Sequence, residues 1–375
     1  MTSATPATSA RPARAGSGAV RGMTATVVGL HLLGIGALVL WLLPAQAAAG
    51  GDAAVLLGLA LSAWALGVRH AFDADHIAAI DNATRRLLAR GRPSSTTGFW
   101  FALGHSSVVL LAVVGFSLGV ASLTGGLADE HSALREGAGI WGGSVSGLFL
   151  LTAGLLNVPT LRGLLRLRRS AGARGFRAGT GHASVDEAAL TAHLDRRGVL
   201  HRVLRPAARW VNRPAAMYPV GFLFGLGLDT AASIGLFVLA GALAPGLPWY
   251  AALVLPVLFT AGMSAFDSAD GVLMSRVYRD AAADVRRTLD LNLVITAVSV
   301  GVAFLVGGAN LIGVLRDVVG PLSGIPVLGA VADVDLNVLG ILLAAFSALV
   351  WAAILLSRRL RPAVVPARHT GPSAG

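Results

Sequence analysis

The chain has 375 residues, of which 55% are hydrophobic and only 13% are charged. A soluble domain averages about 25% charged residues, so this composition argues against an ordinary soluble protein and favours an integral membrane protein. The formal net charge is +11 with no lysine, and the absence of cysteine excludes disulfides and thiolate metal sites, so any bound metal must use nitrogen and oxygen ligands.

The N-terminal region divides into a polar tail and an apolar run. Residues 1–22 are rich in alanine, serine, proline and arginine and are predicted to be a disordered cytoplasmic tail. The run 23–43 is followed by Ala45-Gln46-Ala47, which resembles a signal-peptidase site. The apolar region of a signal peptide is about 7–15 residues long, and this run is longer, so we expect a retained first helix.

Apolar segments of membrane-spanning length recur along the whole chain. Each approaches or exceeds the ~20 residues that cross the hydrocarbon, and in lipid each must be helical to satisfy its own backbone hydrogen bonds. We therefore predict an all-α polytopic membrane protein with about eight transmembrane helices. The predicted spans are 23–44, 54–80, 98–122, 139–164, 216–242, 249–275, 289–313 and 336–357. The first four occupy 23–164 and the last four 216–357, separated by an arginine-rich loop at 165–215 and followed by a C-terminal tail at 358–375.

The arginines predict the orientation of these spans. They concentrate in the N-terminal tail, after the second span, in the 165–215 loop, after the sixth span and in the C-terminal tail, whereas the alternate loops hold only Arg135 and Arg316. By the positive-inside rule, both termini and the long loop are cytoplasmic. The same placement argues against a nucleic-acid partner and predicts a multi-pass protein of the cytoplasmic membrane of a prokaryote. For His182, His193 and His201 in the loop, solvated surface positions are favoured over transient metal binding.

The densest group of polar residues lies at the end of the second span, in "RHAFDADHIAAIDN" (Arg69–Asn82). Asp73 and Asp75 would cost about 2.5–3.5 kcal/mol each near the middle of a membrane, and such residues usually serve an ion or substrate path. On a regular helix His70, Asp73 and His76 share one face, while Asp75 points elsewhere unless the helix distorts. Imidazole and carboxylate ligands suit divalent nickel, cobalt, zinc or manganese. The alternative is an ion-paired packing network that includes Arg69.

Polar residues also interrupt other spans at matching depth. A lone His105 would more often be a hydrogen-bonded core residue, but the convergence of several helices favours a shared site. We therefore expect His70, Asp73, Asp75 and His76 to bind metal together with His105, Asp229, Asp267 and Asp270, and Ser106, Thr230, Ser233 and Asn292 to line the transport path.

A short repeated pattern, called the echo below, suggests internal symmetry. Phe101–Ser106 and Phe259–Ser264 share the pattern F-x-x-G-x-S in the third and sixth spans. These spans run in opposite directions, as do the second and fifth. This is the arrangement of an inverted three-helix repeat, which is common in secondary transporters.

The motifs "RHAFDADHI", "LGHSSVV", "LGLDTA" and "GMSAFDSADG" resemble, in order and spacing, those of the nickel/cobalt transporter family (NiCoT). The first contains H-x4-D-H as His70, Asp75 and His76. The resemblance implies uptake of Ni²⁺ or Co²⁺ for metalloenzyme or cobalamin assembly, with the metal as transported substrate and no prosthetic group. It also implies that His70, Asp73, Asp75 and His76 are essential for transport. Gly104, His105, Asp229, Asp267 and Asp270 match further motif residues.

One position departs from the family pattern. Where many members read D-T-A-T-E, this chain has Ser233 in place of the glutamate. If Asp229 lines the path, Ser233 lies one turn later on the same helix face and bears on metal selectivity or affinity. The alternative is that Ser233 only packs against a neighbouring helix.

Two other function classes remain as alternatives. An intramembrane metalloenzyme is disfavoured because the chain lacks H-E-x-x-H and has no glutamate in the predicted spans. Metal efflux could use the same ligands. No P-loop is present, so no ATPase subunit is evident within the chain. The expected partners are a divalent ion and the lipid bilayer; the preferred metal, coupling ion and oligomeric state stay open.

Overall fold

The computed structural model describes residues 15–119, 132–173, 211–227, 248–280, 285–319 and 335–359. All regular secondary structure within these ranges is helical. The predicted all-α class is therefore confirmed. The 165–215 loop falls mostly outside the described residues, as does most of both tails.

Ten α-helices are numbered here in chain order. A π-helical turn, Leu38–Leu42, joins the first two, and short 3-10 turns at Pro214–Ala216 and Trp249–Leu253 precede the seventh and eighth. The helices are α1 (Ala15–Ala37), α2 (Leu43–Ala48), α3 (Ala53–Ala71), α4 (Ala74–Ala89), α5 (Thr97–Ser117), α6 (Ala133–Ala173), α7 (Met217–Gly225), α8 (Val254–Asp280), α9 (Val285–Val319) and α10 (Leu336–Arg359).

Six stretches within the described ranges are long and apolar enough to cross a membrane. They are Ser17–Ala48, Ala53–Ala71, Thr97–Ser117, Ala133–Arg169, Trp249–Arg276 and Asn292–Val318. They coincide with the predicted first, second, third, fourth, sixth and seventh spans. The eighth predicted span coincides with α10, whereas only the start of the fifth is described, as α7. The chain is thus a multi-pass membrane protein.

The second span is not one continuous helix, and the prediction of a single helix over 54–80 is wrong. α3 ends at Ala71, where the Phe72 and Asp73 amides donate 3.0 Å hydrogen bonds to the carbonyls of Arg69 and His70. Asp73 then adopts an extended conformation (φ −64°, ψ 137°) and becomes the N-cap of α4. Aspartate favours this position because it tolerates non-helical backbone and a negative charge at a helix N-terminus. Interrupted helices inside membranes are stable only where protein covers the exposed backbone. Here α10 provides the cover, since a Cβ on Gly340 would lie 1.9 Å from the Phe72 carbonyl oxygen.

Reciprocal glycine contacts hold the central helices together. A Cβ on Gly67 of α3 would lie 2.1 Å from the Phe259 carbonyl oxygen of α8, and one on Gly262 of α8 would lie 2.6 Å from the Trp64 carbonyl oxygen. These distances show backbone-to-backbone packing, which only small residues permit.

The α5–α7 interface has the same construction. A Cβ on Gly104 of α5 would lie 2.0 Å from the Tyr218 carbonyl oxygen, and one on Gly221 of α7 would lie 2.0 Å from that of Phe101. Gly104 and Gly262 are the equivalent glycines of the F-x-x-G-x-S echo. Each interface joins one helix of the first half of the chain to one of the second, and the two share one arrangement, which supports the predicted repeat.

Gly104→Ala tests this packing. The added methyl overlaps the Tyr218 carbonyl, so α5 and α7 must separate, and overpacking of this kind costs about 1–3 kcal/mol. We expect a lower thermal unfolding temperature for the detergent-purified variant. The matched control is Gly301→Ala on α9, where no atom lies within 4 Å of the new methyl. Equal melting temperatures for the two variants would contradict the close-packing interpretation.

Candidate metal centre

Three buried histidines from three helices meet in the middle of the bundle. His70 lies in the last turn of α3, His76 in the first turn of α4 and His105 on α5; their exposures are 1%, 2% and 3%. The ring centroids are 4.5 Å apart for His70 and His76, 4.6 Å for His70 and His105, and 5.0 Å for His76 and His105. One nitrogen from each ring lies within 4.8 Å of the others.

The break at Phe72 and Asp73 explains why His70 and His76 are neighbours. On one regular helix they would be six residues and about 9 Å of rise apart. The turn between α3 and α4 folds them against each other, and His105 approaches from α5. The expected stripe of a regular helix is therefore replaced by a tighter cluster, which Asp75 also joins.

Asp73 orients the first histidine. Its Oδ2 lies 2.7 Å from Nδ1 of His70, and a carboxylate at this distance favours the tautomer with the proton on Nδ1. Nε2 is then free to present its lone pair, the usual state of a metal-binding histidine with a carboxylate behind it. Nε2 of His70 lies 2.9 Å from Nε2 of His105. At this distance one ring donates to the other, and a divalent cation in place of the shared proton would be held by both nitrogens.

Asp75 lies in the first turn of α4, where the helix dipole favours a negative charge. Its Oδ1 accepts the His76 amide at 2.9 Å and its Oδ2 accepts the Ser146 hydroxyl at 3.1 Å. Asp73, as the N-cap of the same helix, benefits from the same dipole. The start of α4 thus stabilises two carboxylates next to the histidines in the absence of a bound cation.

Asp267 of α8 extends the cluster on the side of His76. Its Oδ2 lies 3.9 Å from Nδ1 of His76, too far for a hydrogen bond, and the residue is 1% exposed. Neither carboxylate oxygen of Asp267 has a hydrogen-bond partner in the described ranges. An unpartnered carboxyl group inside a membrane protein is costly, and a cation between it and His76 would remove that cost.

The cluster borders a cavity of ≈ 250 Å³. Its lining includes the three histidines with Asp73, Asp75, Phe224, Gly227 and Asn310. The rings of Phe101 and Phe259 lie behind the histidines, with centroids 4.8 Å from His76 and 5.8 Å from His70. Aromatic rings therefore pack against the histidines, while Asp73, Asp75 and Asn310 line the cavity.

The other predicted residues lie in different surroundings. Asp270 borders a separate cavity with Phe72 and Ile77. The Ser106 hydroxyl contacts the Met263 sulfur at 3.6 Å, and the Asn292 carbonyl accepts the Thr296 hydroxyl. Neither Ser106 nor Asn292 lines the histidine cavity. Asp229, Thr230 and Ser233 lie outside the described residues.

Two residues at the site were not predicted from the sequence. Ser146 of α6 bonds to Asp75, and Asn310 of α9 donates to Ser146 at 2.8 Å. A lone amide in the apolar run "VGGANLIGV" is a signal that could have identified Asn310. Ser146, in "GGSVSG", carries no such signal, because serines are common in membrane helices.

The distances fit a single first-row transition-metal ion. Nitrogen and oxygen ligands lie about 2.0–2.2 Å from such ions, so two ligands of one ion can be at most about 4.4 Å apart. The nitrogens within 4.8 Å of one another need to contract by less than about 1 Å to meet this limit. Imidazole and carboxylate donors without sulfur suit divalent nickel, cobalt, zinc or manganese.

A known protein family matches most of the chain. The model of the NicO family, described as high-affinity nickel-transport protein, matches residues 56–357. The chain belongs to this family. The match extends from α3 to α10, and therefore covers every helix that contributes to the site.

Several curated proteins are similar to this chain over nearly their full length. The nickel transporter NicT of Mycobacterium tuberculosis is 42% identical over 339 residues, which are 89% of this chain and 87% of that protein. The cobalt transport protein NhlF of Rhodococcus rhodochrous is 39% identical over 347 residues, covering 90% and 93%. The nickel transporter NixA of Staphylococcus aureus is 37% identical over 332 residues, covering 87% and 90%. No solved structure matches the chain.

Asp73→Asn tests the orienting role of Asp73. The amide cannot match the carboxylate as acceptor of the His70 Nδ1 proton, and loss of such a partner costs about 10–100-fold in metal affinity. We expect weaker Ni²⁺ binding to the purified protein by equilibrium dialysis, with an unchanged melting temperature without metal. Asp52→Asn is the matched control, because Asp52 caps the far end of α3 and asparagine caps equally well. Equal affinities of the two variants would exclude this role.

Proposed function

We propose that this protein imports Ni²⁺ or Co²⁺ across the cytoplasmic membrane of a prokaryote as a secondary transporter, using the histidine–aspartate cluster as its central binding site. The observation that carries the proposal is the meeting of His70, His76 and His105, with their ligand nitrogens within 4.8 Å, inside a membrane bundle. Family membership and relatives named as nickel and cobalt transporters support the choice of these ions.

The charges around the site suit a divalent cation in passage. A cation that leaves water needs compensating negative charge and donor atoms. Asp73 and Asp75 supply charge at the cavity wall, and Asp267 lies behind His76. The histidines supply neutral nitrogen ligands, which favour transition metals over Mg²⁺ and Ca²⁺. The metal is the substrate, and this proposal needs no prosthetic group.

The two alternatives are less well supported. Efflux would use the same ligands, but the relatives' names speak only of nickel and cobalt transport, and no contact within the site favours export. An intramembrane metalloenzyme needs a group to activate water or attack a substrate. The NicO family match points to transport instead.

Uptake of ⁶³Ni and ⁵⁷Co by cells that produce the protein tests import directly. His70→Ala removes a ligand and Asp75→Asn removes a charge, so we expect both to abolish uptake at unchanged amounts of membrane-inserted protein. His31→Gln is the control, since His31 of α1 bonds to Trp64 and Val27 away from the cavity. Near-normal uptake by both site variants, or metal-dependent loss of ⁶³Ni from preloaded cells, would overturn the proposal.

The Ni²⁺/Co²⁺ preference is proposed to depend on Ser233. A carboxylate one turn after Asp229 would add negative charge to the path, whereas serine offers a neutral oxygen. We expect Ser233→Glu to change the competition of unlabelled Co²⁺ against ⁶³Ni uptake while transport continues. Superimposable competition curves at matched expression would remove Ser233 from the path and leave it a packing role.

A further inference from the structure

The Asp75 carboxylate is held from two directions, and one of the two groups lies outside the predicted motif residues. The His76 amide fixes Oδ1 at 2.9 Å, and this contact belongs to the local backbone of α4. Oδ2 accepts the hydroxyl of Ser146, 3.1 Å away on α6. Only the second bond ties Asp75 to another helix, so it determines which way the carboxylate faces relative to the cavity.

Asn310 of α9 determines the direction of the Ser146 hydroxyl. Its Nδ2 donates to the Ser146 oxygen at 2.8 Å. The serine oxygen is then occupied as an acceptor, and its own proton is directed to Asp75. The result is a one-way chain from the Asn310 amide through the Ser146 hydroxyl to the Asp75 carboxylate, in which each bond strengthens the next.

This hydrogen-bond chain lies between two closely packed helices and at the edge of the site. α6 and α9 form the most extensive helix–helix interface among the described residues. A Cβ on Gly143 would lie 2.6 Å from the Val314 side chain, so the two helices are closely packed near this level. Ser146 is 2% exposed, while Asn310 lines the histidine cavity itself. A bond anchored on this interface can hold a carboxylate in place through cycles of metal binding and release.

We propose that Ser146 and Asn310 are positioning residues that set the affinity of the site for Ni²⁺ or Co²⁺ by fixing the Asp75 carboxylate. The inference rests on the proposed transport function, and it deepens that function. It links the four helices of the binding site, α3, α4, α5 and α8, to a second pair, α6 and α9. Neither residue needs to touch the metal for this role.

The first experiment separates affinity from turnover. Ser146→Ala and Asn310→Leu each remove one donor of the chain, and loss of such outer partners weakens metal affinity by about 10–100-fold. We expect the KM for ⁶³Ni uptake to rise by about tenfold or more. The maximal rate should stay close to that of the wild-type protein at matched amounts of protein in the membrane. Ser146→Thr keeps the hydroxyl and should keep a KM close to that of the wild-type protein.

The matched control is Thr160→Val. Thr160 is a buried hydroxyl on α6 that lies fourteen residues, or about 21 Å of helix rise, beyond Ser146. This variant should leave KM unchanged. An unchanged KM in both Ser146→Ala and Asn310→Leu would overturn the proposal, as would a loss of maximal rate alone.

The second experiment tests whether the hydrogen bonds of Ser146 and Asn310 act through Asp75. Equilibrium dialysis of Ni²⁺ against the purified proteins gives the affinities of Ser146→Ala, Asp75→Asn and the double variant. If Ser146 works by positioning Asp75, its effect disappears in the Asp75→Asn background. An effect of full size in that background would mean that Ser146 acts elsewhere, and would overturn the proposal.

The binding measurement also separates failure of this inference from failure of the proposed function. If the wild-type protein takes up neither ⁶³Ni nor ⁵⁷Co but binds Ni²⁺, the transport proposal fails and the double-variant test of positioning still applies. If uptake is normal and the variants bind Ni²⁺ like wild type, the positioning role alone is excluded.

Discussion

The interruption of the second span at Phe72 and Asp73 is the feature around which the histidine cluster is organised. Inside hydrocarbon a helix normally stays continuous, because each free amide or carbonyl costs several kcal/mol. Here the Phe72 and Asp73 amides bond back to the preceding turn, and α10 covers the exposed Phe72 carbonyl. The break makes neighbours of two histidines that a regular helix would separate. It also creates a helix N-terminus, at which two carboxylates, Asp73 and Asp75, are stabilised.

A repeated scaffold carries this asymmetric site. The glycine contacts of α3 with α8 correspond to those of α7 with α5, and α7 ends as α3 does, with the Gly227 amide bonded to the Phe224 carbonyl at 3.0 Å. Counted from the paired glycines Gly67 and Gly221, the position of His70 is taken by Phe224, and within the echo His105 corresponds to Met263. The histidines therefore come from one half, and the other half provides apolar walls and Asp267. Close helix packing is a property of the scaffold, whereas metal chemistry depends on which half carries the ligands.

The carboxylates inside the bundle differ in the groups that surround and stabilise them. Asp73 contacts a histidine nitrogen, and Asp75 accepts bonds from a backbone amide and a serine. Asp267 differs, since its oxygens have no hydrogen-bond partner in the described ranges and its Oδ2 lies 3.9 Å from Nδ1 of His76. The two types of surrounding suggest a division of roles: the paired carboxylates hold the site in shape without a cation, and the unpaired one gains most when a cation arrives.

The sequence by itself determined the membrane class and the positions of most spans, and it included the three clustered histidines among the candidate ligands. Long apolar runs, arginine-rich loops and rare buried ionisable residues are local signals, and each has a large free-energy cost if misplaced. It did not determine the break in the second span, because aspartate at an N-cap and aspartate on a helix face look the same in one dimension. It also missed Ser146 and Asn310, which are distant in sequence from Asp75 and from each other. Only tertiary packing of α6 against α9 brings them to the carboxylate, because a hydrogen bond depends on distance and direction in space.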